Sequence, residues 1–243
     1  MLRKKPRGKP GSYHTSWRRT VGEARFCLAL SVYEFSKILQ RSMSLSNNTR
    51  NHKLDERGIE TPRLRIRRFS PADIDDLRAV VSHPSVAVET TNIPHKPQEL
   101  AEYINRQNGM RLFEAKTCTD LALERKQDRR VIGLVTLVSN GNRQGEIGWA
   151  LGIDYRGDGY ATEAAHALIS YLFASCGYHR VFAGTIQTNT ASWGVMERLG
   201  MRKEAHFVQA HEPHEPGGDW IDTVRYAVLA TEWSQRGLGK DSA

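Results

Sequence analysis

The residues Tyr155-Arg156-Gly157-Asp158-Gly159-Tyr160-Ala161-Thr162-Glu163 have the make-up of a phosphate-binding corner. They lie between an apolar, strand-like run from Ile147 to Ile153 and a helix-like run from Ala164 to Phe173. Glycines at 157 and 159 let the backbone approach a ligand with no Cβ in the way. The first N–H groups of a helix have no intrahelical acceptor and sit at the positive end of its dipole, so a pyrophosphate satisfies both. Arg156 adds a cation, which also reads as a plain surface charge. Thirty residues on, Asn189 can cap the helix of Ala191 to Leu199, and Ser192 in its first turn offers a hydroxyl. Glu146 stands on the strand that leads into the corner. It reads either as a general base acting through a water or as half of a sheet-surface ion pair. His211 and Glu212, followed by His214 and Glu215, invite a metal reading. No partners stand elsewhere at ligand spacing, so a solvated loop and no metal are expected.

The elements that must position these groups follow from periodicity and punctuation. Leu64 and Ile66 alternate with charged residues, which predicts a strand. Ser70-Pro71 starts a helix whose buried stripe is Ile74, Leu77, Val80 and Val81. A second helix is expected near Pro97 to Arg106, with Leu100, Tyr103 and Ile104 inside. Strands are expected around 112–124, 131–139 and 145–153, divided at Asp128 and Gly141-Asn142. A long helix should run from the glycine corner to about Ala174, then a strand over Val181 to Ile186. The helix of Asn189 to Leu199 should end in a left-handed Gly200. Two closing strands, near 202–210 and 220–230, flank a turn at Glu215-Pro216-Gly217-Gly218. The sum is an α+β domain: a mixed, mostly antiparallel sheet with helices on both faces.

Charge is distributed unevenly along the 243 residues. Of the formal net charge of +8, residues 1–57 carry +9 and residues 58–243 carry −1. The body is electrostatically ordinary, so the basic balance gives no reason to expect a specific nucleic-acid partner. Residues 1–20 are basic and rich in Pro and Gly, and read as disordered. Val21 to Leu39 has helical periodicity (Val21, Ala24, Leu28, Val32, Phe35, Leu39) and reads as one amphipathic helix. Residues 43–57 read as a linker, which makes 1–57 an extension and 58–243 the folded domain. The extension is either a targeting or docking arm or the product of a start set upstream of Met43, and the second is favoured. Three scattered cysteines, Cys27, Cys118 and Cys176, form no metal or disulfide framework. The apolar segment at Phe26 to Leu30 is flanked by charge and followed by no cleavage site, and no stretch is long enough to span a bilayer. A cytoplasmic protein with no membrane partner is expected.

Four stretches carry a family resemblance. Arg156-x-x-Gly159-x-Ala161 resembles the acyl-CoA loop of the GNAT acetyltransferases. Asn189-Thr190-Ala191-Ser192, followed by Val195-Met196-Glu197-Arg198-Leu199-Gly200-Met201, resembles the N-x-x-S-x-x-V-x-E-K-L-G-F stretch of that superfamily. Thr61-Pro62-Arg63-Leu64-Arg65-Ile66-Arg67 looks like the T-x-R-L-x-L-R opening of its ribosomal-protein N-acetyltransferase (RimJ/RimL-like) branch. Gly145-Glu146-Ile147-Gly148-Trp149-Ala150-Leu151 is similar to that branch's E-I-G-Y-x-L strand. Together they cover about residues 59–233 in order.

The resemblance implies the GNAT fold, in which two parallel strands, here near 145–153 and 181–186, splay apart and bind acyl-CoA. It places acetyl-CoA along Leu151, Gly152, Ile153, Arg156, Gly157, Asp158, Gly159, Tyr160, Ala161 and Thr162, with Asn189 on the pantetheine arm. A backbone N–H near Leu151 would stabilise the oxyanion. Ser192 would approach the cofactor sulfur and protonate the leaving thiolate, and Glu146 would deprotonate the attacking amine. His211, near the acid this branch can carry, and Trp149 are its candidates on the substrate side. Trp220, Asp222 and Tyr226 resemble its last strand and read as packing and pocket wall. The implied activity is acetyl transfer to a primary amine, foremost a protein N-terminal α-amino group, with polyamines or aminoglycosides as the alternative. A catalytically silent CoA-binding module is the rival reading. Monomer and homodimer are both compatible with this sequence.

Overall fold

The computed structural model describes residues 54, 58–87, 90, 93–213 and 217–237. The basic arm and the helix expected over Val21–Leu39 lie outside the described residues, as do 214–216 of the closing turn. The chain opens with β1 (Ile59–Glu60) and β2 (Leu64–Arg67), where Leu64 and Ile66 are buried and Arg65 and Arg67 only partly so. Ser70 accepts from the Ala72 N–H while the Asp73 carboxylate accepts from the Ser70 N–H. That reciprocal cap opens a short 3-10 turn and then α1 (Ile74–Val81). Of the expected stripe, Leu77, Val80 and Val81 are buried and Ile74 lies at its margin. A one-turn helix, α2 (Pro84–Ala87), is too short to show periodicity. Next comes α3 (Pro97–Gly109), which buries Leu100, Tyr103 and Ile104.

A meander follows: β3 (Thr117–Arg125), β4 (Val131–Gly141) and β5 (Gln144–Leu151). The strand expected from 112 starts later because Phe113 and Lys116 take φ of 66° and 67°, which no strand sustains. The β4–β5 turn has positive φ at Asn142 and Arg143, the twist a tight hairpin requires. The strand expected to 153 stops at Leu151, and Ile153–Tyr155 form a 3-10 turn. From the glycine corner springs α4 (Tyr160–Ala174), and then β6 (Arg180–Ile186) and α5 (Thr190–Arg198). Gly200 closes α5 with φ of 67°. The hairpin of β7 (Arg202–His211) and β8 (Ile221–Leu229) leads into α6 (Ala230–Gly237), an element the periodicity did not disclose.

Among the described residues eight strands make one sheet in the order β1-β2-β3-β4-β5-β6-β8-β7, and of its neighbouring pairs only β5 and β6 run parallel. Period-two alternation divides its residues between two layers. Ile147 and Leu151 pack with Leu168, Ile169 and Leu172 of α4 and Val195 and Met196 of α5. Ala150 packs on the other side with Leu77 and Val80 of α1 and Leu100, Tyr103 and Ile104 of α3. Leu54 packs against the α4 layer from within the stretch assigned to the extension. Among the described residues no helix is long and apolar enough to cross a membrane.

Candidate active site

The corner between β5 and α4 is built as its composition demands. Gly157 has φ of 93°, and Gly159, the residue before α4, has φ of 80°. Side chains tolerate neither value well, and nothing lies within 4 Å of where a Cβ on Gly157 would stand. The N–H of Glu163 returns to the Gly159 carbonyl at 3.0 Å, so the N–H groups of Tyr160, Ala161 and Thr162 precede the first intrahelical bond. Tyr160 is buried, so its contribution to an anion is backbone only.

Arg63, outside the expected site, braces this loop. Its Nη1 donates to the Asp158 carbonyl at 2.9 Å and its Nε to the Glu163 carboxylate at 2.6 Å, while its guanidinium lies 4.4 Å from the Tyr160 ring centroid. Thr61 Oγ1 and the Arg63 N–H also donate to Glu163. Burial pushes the Glu163 carboxyl up, but these hydrogen bonds outweigh it and hold the group below its ordinary value. Arg63 lies in the Thr61–Arg67 stretch noted as a family marker, and that was the signal for it. Arg156 folds back, donating from Nε to the Leu151 carbonyl at 3.1 Å, so part of its hydrogen-bonding fork secures the end of β5.

Beyond the loop, the sheet opens. Cα pairing of β5 with β6 covers Gln144 with Arg180, Gly145 with Val181 and Glu146 with Phe182, and then stops. Residues 147–151 therefore keep one backbone edge without a strand partner, while β6 continues along β8. Asn189 Oδ1 accepts from the Ser192 N–H at 3.1 Å and caps α5. The Ser192 hydroxyl has no hydrogen-bond partner among the described residues, which leaves its proton available. Thr162 Oγ1 accepts from Arg198 Nε at 3.3 Å, joining the start of α4 to the end of α5.

Glu146 occupies the last paired row before the splay, on the α3 side of the sheet. Its Oε2 is covered and has no hydrogen-bond partner among the described residues. Burial pushes its carboxyl up to about 7, and the Arg225 guanidinium only partly offsets that. The residue as a whole keeps some exposure, so one oxygen is dry while the group can still be reached. Desolvation of this kind yields a base that titrates near neutrality. The structure does not bring the two substrate-side candidates to it. Trp149 packs against the opposite layer, because odd-numbered β5 residues face α4. His211 pairs with Ile221, roughly 20 Å along β8 from the Glu146 row at about 3.4 Å per residue, and its Nδ1 contacts the Glu212 carbonyl.

Residues 63–202 match the acetyltransferase (GNAT) domain family. The chain belongs to the GNAT acetyltransferases. It is 30% identical over 179 residues to the uncharacterized N-acetyltransferase YnaD of Bacillus subtilis (strain 168), covering 72% of this chain and 99% of YnaD. A GNAT-family acetyltransferase of Bacillus anthracis, known from its crystal structure, superposes with a TM-score of 0.62 at 29% identity. That match covers 72% of this chain and 99% of the other. YdaF of Bacillus subtilis (strain 168), a candidate ribosomal N-acetyltransferase, is 31% identical over 108 residues, 44% of this chain and 57% of YdaF. GNAT acetyltransferases use acetyl-CoA and an amine acceptor. The glycine corner and the splayed strands fit that co-substrate: one offers unpaired N–H groups to a pyrophosphate, the other an unpartnered backbone edge to the pantetheine amides.

Proposed function

We propose that this GNAT enzyme is RimJ/RimL-like and acetylates a primary amine, foremost the α-amino group of a protein N-terminus. The observation that carries the reading is Glu146, a carboxyl beside the splay with one oxygen dry and unpartnered among the described residues and a pKa raised to about 7. An α-amino group titrates at about 7.7–8.0 and a lysine at about 10.4. A base near 7 is well matched to the first and would face a further cost of about 3.4 kcal/mol with the second.

In this reading the ammonium gives a proton to Glu146, directly or through one water. The amine nitrogen then bonds to the thioester carbonyl carbon of acetyl-CoA, and a backbone N–H near Leu151 stabilises the oxyanion. The C–S bond breaks as the carbonyl re-forms. The Ser192 hydroxyl passes its proton to the departing sulfur and regains one from solvent, and Glu146, having released its first proton to solvent, takes the second amine proton. Backbone N–H groups of 157–162 carry most of the pyrophosphate, with Arg156 a lesser contributor and Asn189 on the pantetheine arm.

The test is acetyl-CoA consumption against peptides with free N-termini, N-blocked lysine peptides, spermidine and an aminoglycoside. Free N-termini should be the best acceptors by kcat/KM. A preference for N-blocked lysine peptides or for spermidine overturns the N-terminal reading, and consumption with none of them favours a silent CoA-binding module.

A further inference from the structure

On the Glu146 face of the sheet, the row just past the last β5–β6 pair has no side chains at its centre. Gly148 occupies β5 and Gly184 occupies β6. A Cβ on Gly184 would stand 4.0 Å from Glu146 Oε1, and one on Gly148 would stand 3.6 Å from Thr136 Cβ. The two glycines leave this row without side chains at its centre, and Glu146 stands beside it. On the β4 side stand Thr136 and Asp120, already bonded to each other and to Tyr103 of α3. On the β8 side stands Arg225, the Cα partner of Gly184.

Arg225 is a cation that no carboxylate holds in an ion pair among the described residues, although its charge favours the ionised form of Glu146. Its guanidinium lies 5.1 Å from the Phe182 ring centroid and 5.5 Å from that of Phe207, and it forms no ion pair among the described residues. The contrast is Arg180, whose guanidinium stacks on the same Phe182 ring at 4.8 Å but is neutralised by Glu204. Two aromatic faces hold the Arg225 head in place without satisfying its planar N–H fork. Neighbouring strands are about 4.8 Å apart, so the cation stands one to two strand spacings from an amine seated over the glycines. Arg225 is therefore placed to read an anion carried beside the reacting amine.

We propose that Arg225 is a specificity-determining residue that selects amine acceptors bearing a carboxylate close to the amine, foremost N-termini with an acidic first or second residue. This deepens the acetyl-transfer reading and rests on it for the position of the amine. Consecutive Cα atoms lie about 3.8 Å apart, so an acidic side chain at either position reaches the required span. A bidentate guanidinium–carboxylate pair gives geometric as well as electrostatic selection. A polyamine would set a second cation against Arg225 and is disfavoured.

The experiment uses the full chain, wild type and Arg225→Gln, Arg225→Lys and Arg225→Glu variants. The probes are two tetrapeptides that differ only in an Asp or an Asn second residue, free aspartate and spermidine. Turnover is measured with acetyl-CoA. Separately, the N-acetylated forms of the two tetrapeptides are titrated calorimetrically into the CoA-bound protein. Wild type should favour the Asp peptide about tenfold or more in both measurements. Arg225→Gln should bring the ratio near one, Arg225→Lys should keep part of it, and Arg225→Glu should invert it. Acetyl-CoA affinity, read in the same samples, should stay at the wild-type value and reports that each variant is folded. An unchanged ratio in Arg225→Gln, tighter use of spermidine than of the Asp peptide by wild type, or no binding of either product overturns the proposal. Free aspartate outperforming the Asp peptide overturns the peptide assignment. A charge preference in binding without acetylation of any amine removes the transfer reading and leaves Arg225 as an anion site. Acetylation without charge preference does the reverse.

Discussion

As the proposed base, Glu146 would couple chemistry to stability in opposite directions. Its carboxyl must be ionised to take a proton from the acceptor, so kcat/KM of the wild type should climb as pH rises through about 7. Glu146→Gln should lower kcat/KM by about 10²-fold and lose that limb, which a pH–rate profile measures directly. The stability effect has the other sign. A carboxyl whose folded pKa lies above its unfolded value binds more protons when folded, so its contribution is fully present below about 4.5 and is lost as pH rises through about 7. Glu146→Gln should thus be more stable than wild type at pH 8.5 by about 1–2 kcal/mol, allowing for solvent screening, and no more stable at pH 4.5. Urea denaturation at the two pH values checks it. Ser192 is the second residue to test, because its hydroxyl has no partner among the described residues while its N–H is held by Asn189. Ser192→Ala should lower turnover about 10²-fold and leave acetyl-CoA affinity nearly intact, since the cap survives. Wild-type turnover in that variant would reduce Ser192 to a helix-surface residue.

At the scale of elements, the proposed acetyl-CoA site is made by the way strands end and helices begin. Gly159 has left-handed φ and Arg63 Nη2 lies 3.6 Å from where its Cβ would be. Gly159→Val therefore combines a backbone a β-branched residue resists with a side chain in the path of the phosphates. It should abolish acetyl-CoA binding, whereas Arg156→Ala should only weaken it. Calorimetry on folded protein distinguishes the two, and undiminished binding by Gly159→Val would sink the loop assignment. This corner was legible from sequence because a positive φ leaves its mark in composition, as did the Ser70 cap and the Gly200 stop. The splay was legible only through resemblance, since pairing between β5 and β6 is non-local and no pattern within either strand records where it ceases. The distance of Trp149 and His211 from Glu146 escaped the sequence for a related reason. Which face Trp149 shows depends on register, and the position of His211 follows the β7 irregularity between Phe207 and His211. Arg225 carried no signal at all: a lone arginine in a closing strand becomes informative only when two aromatic rings flank it and no ion pair holds it among the described residues.

At the scale of the whole molecule, the question is where the folding unit begins. Every element that grips acetyl-CoA in the proposed scheme lies beyond residue 143, and the sheet has its own first strand at Ile59. The excess positive charge lies in residues 1–57, away from the matched domain. Trimming the chain to 43–243 should therefore leave acetyltransferase activity and acetyl-CoA affinity unchanged, while salt-sensitive adhesion to polyanions largely disappears. A second cut refines the boundary. Leu54 is partly buried against the α4 layer, so a chain that starts at residue 58 loses an apolar contact the 43–243 chain retains. With about 25 cal/mol per Å² of apolar surface, a partly buried leucine contributes on the order of 1 kcal/mol. The 58–243 chain should consequently unfold at lower urea than the 43–243 chain with a similar m-value, and both should bind acetyl-CoA with wild-type affinity. Identical midpoints for the two would return the boundary to residue 58. Loss of activity in the 43–243 chain would instead make the N-terminal segment part of the working enzyme.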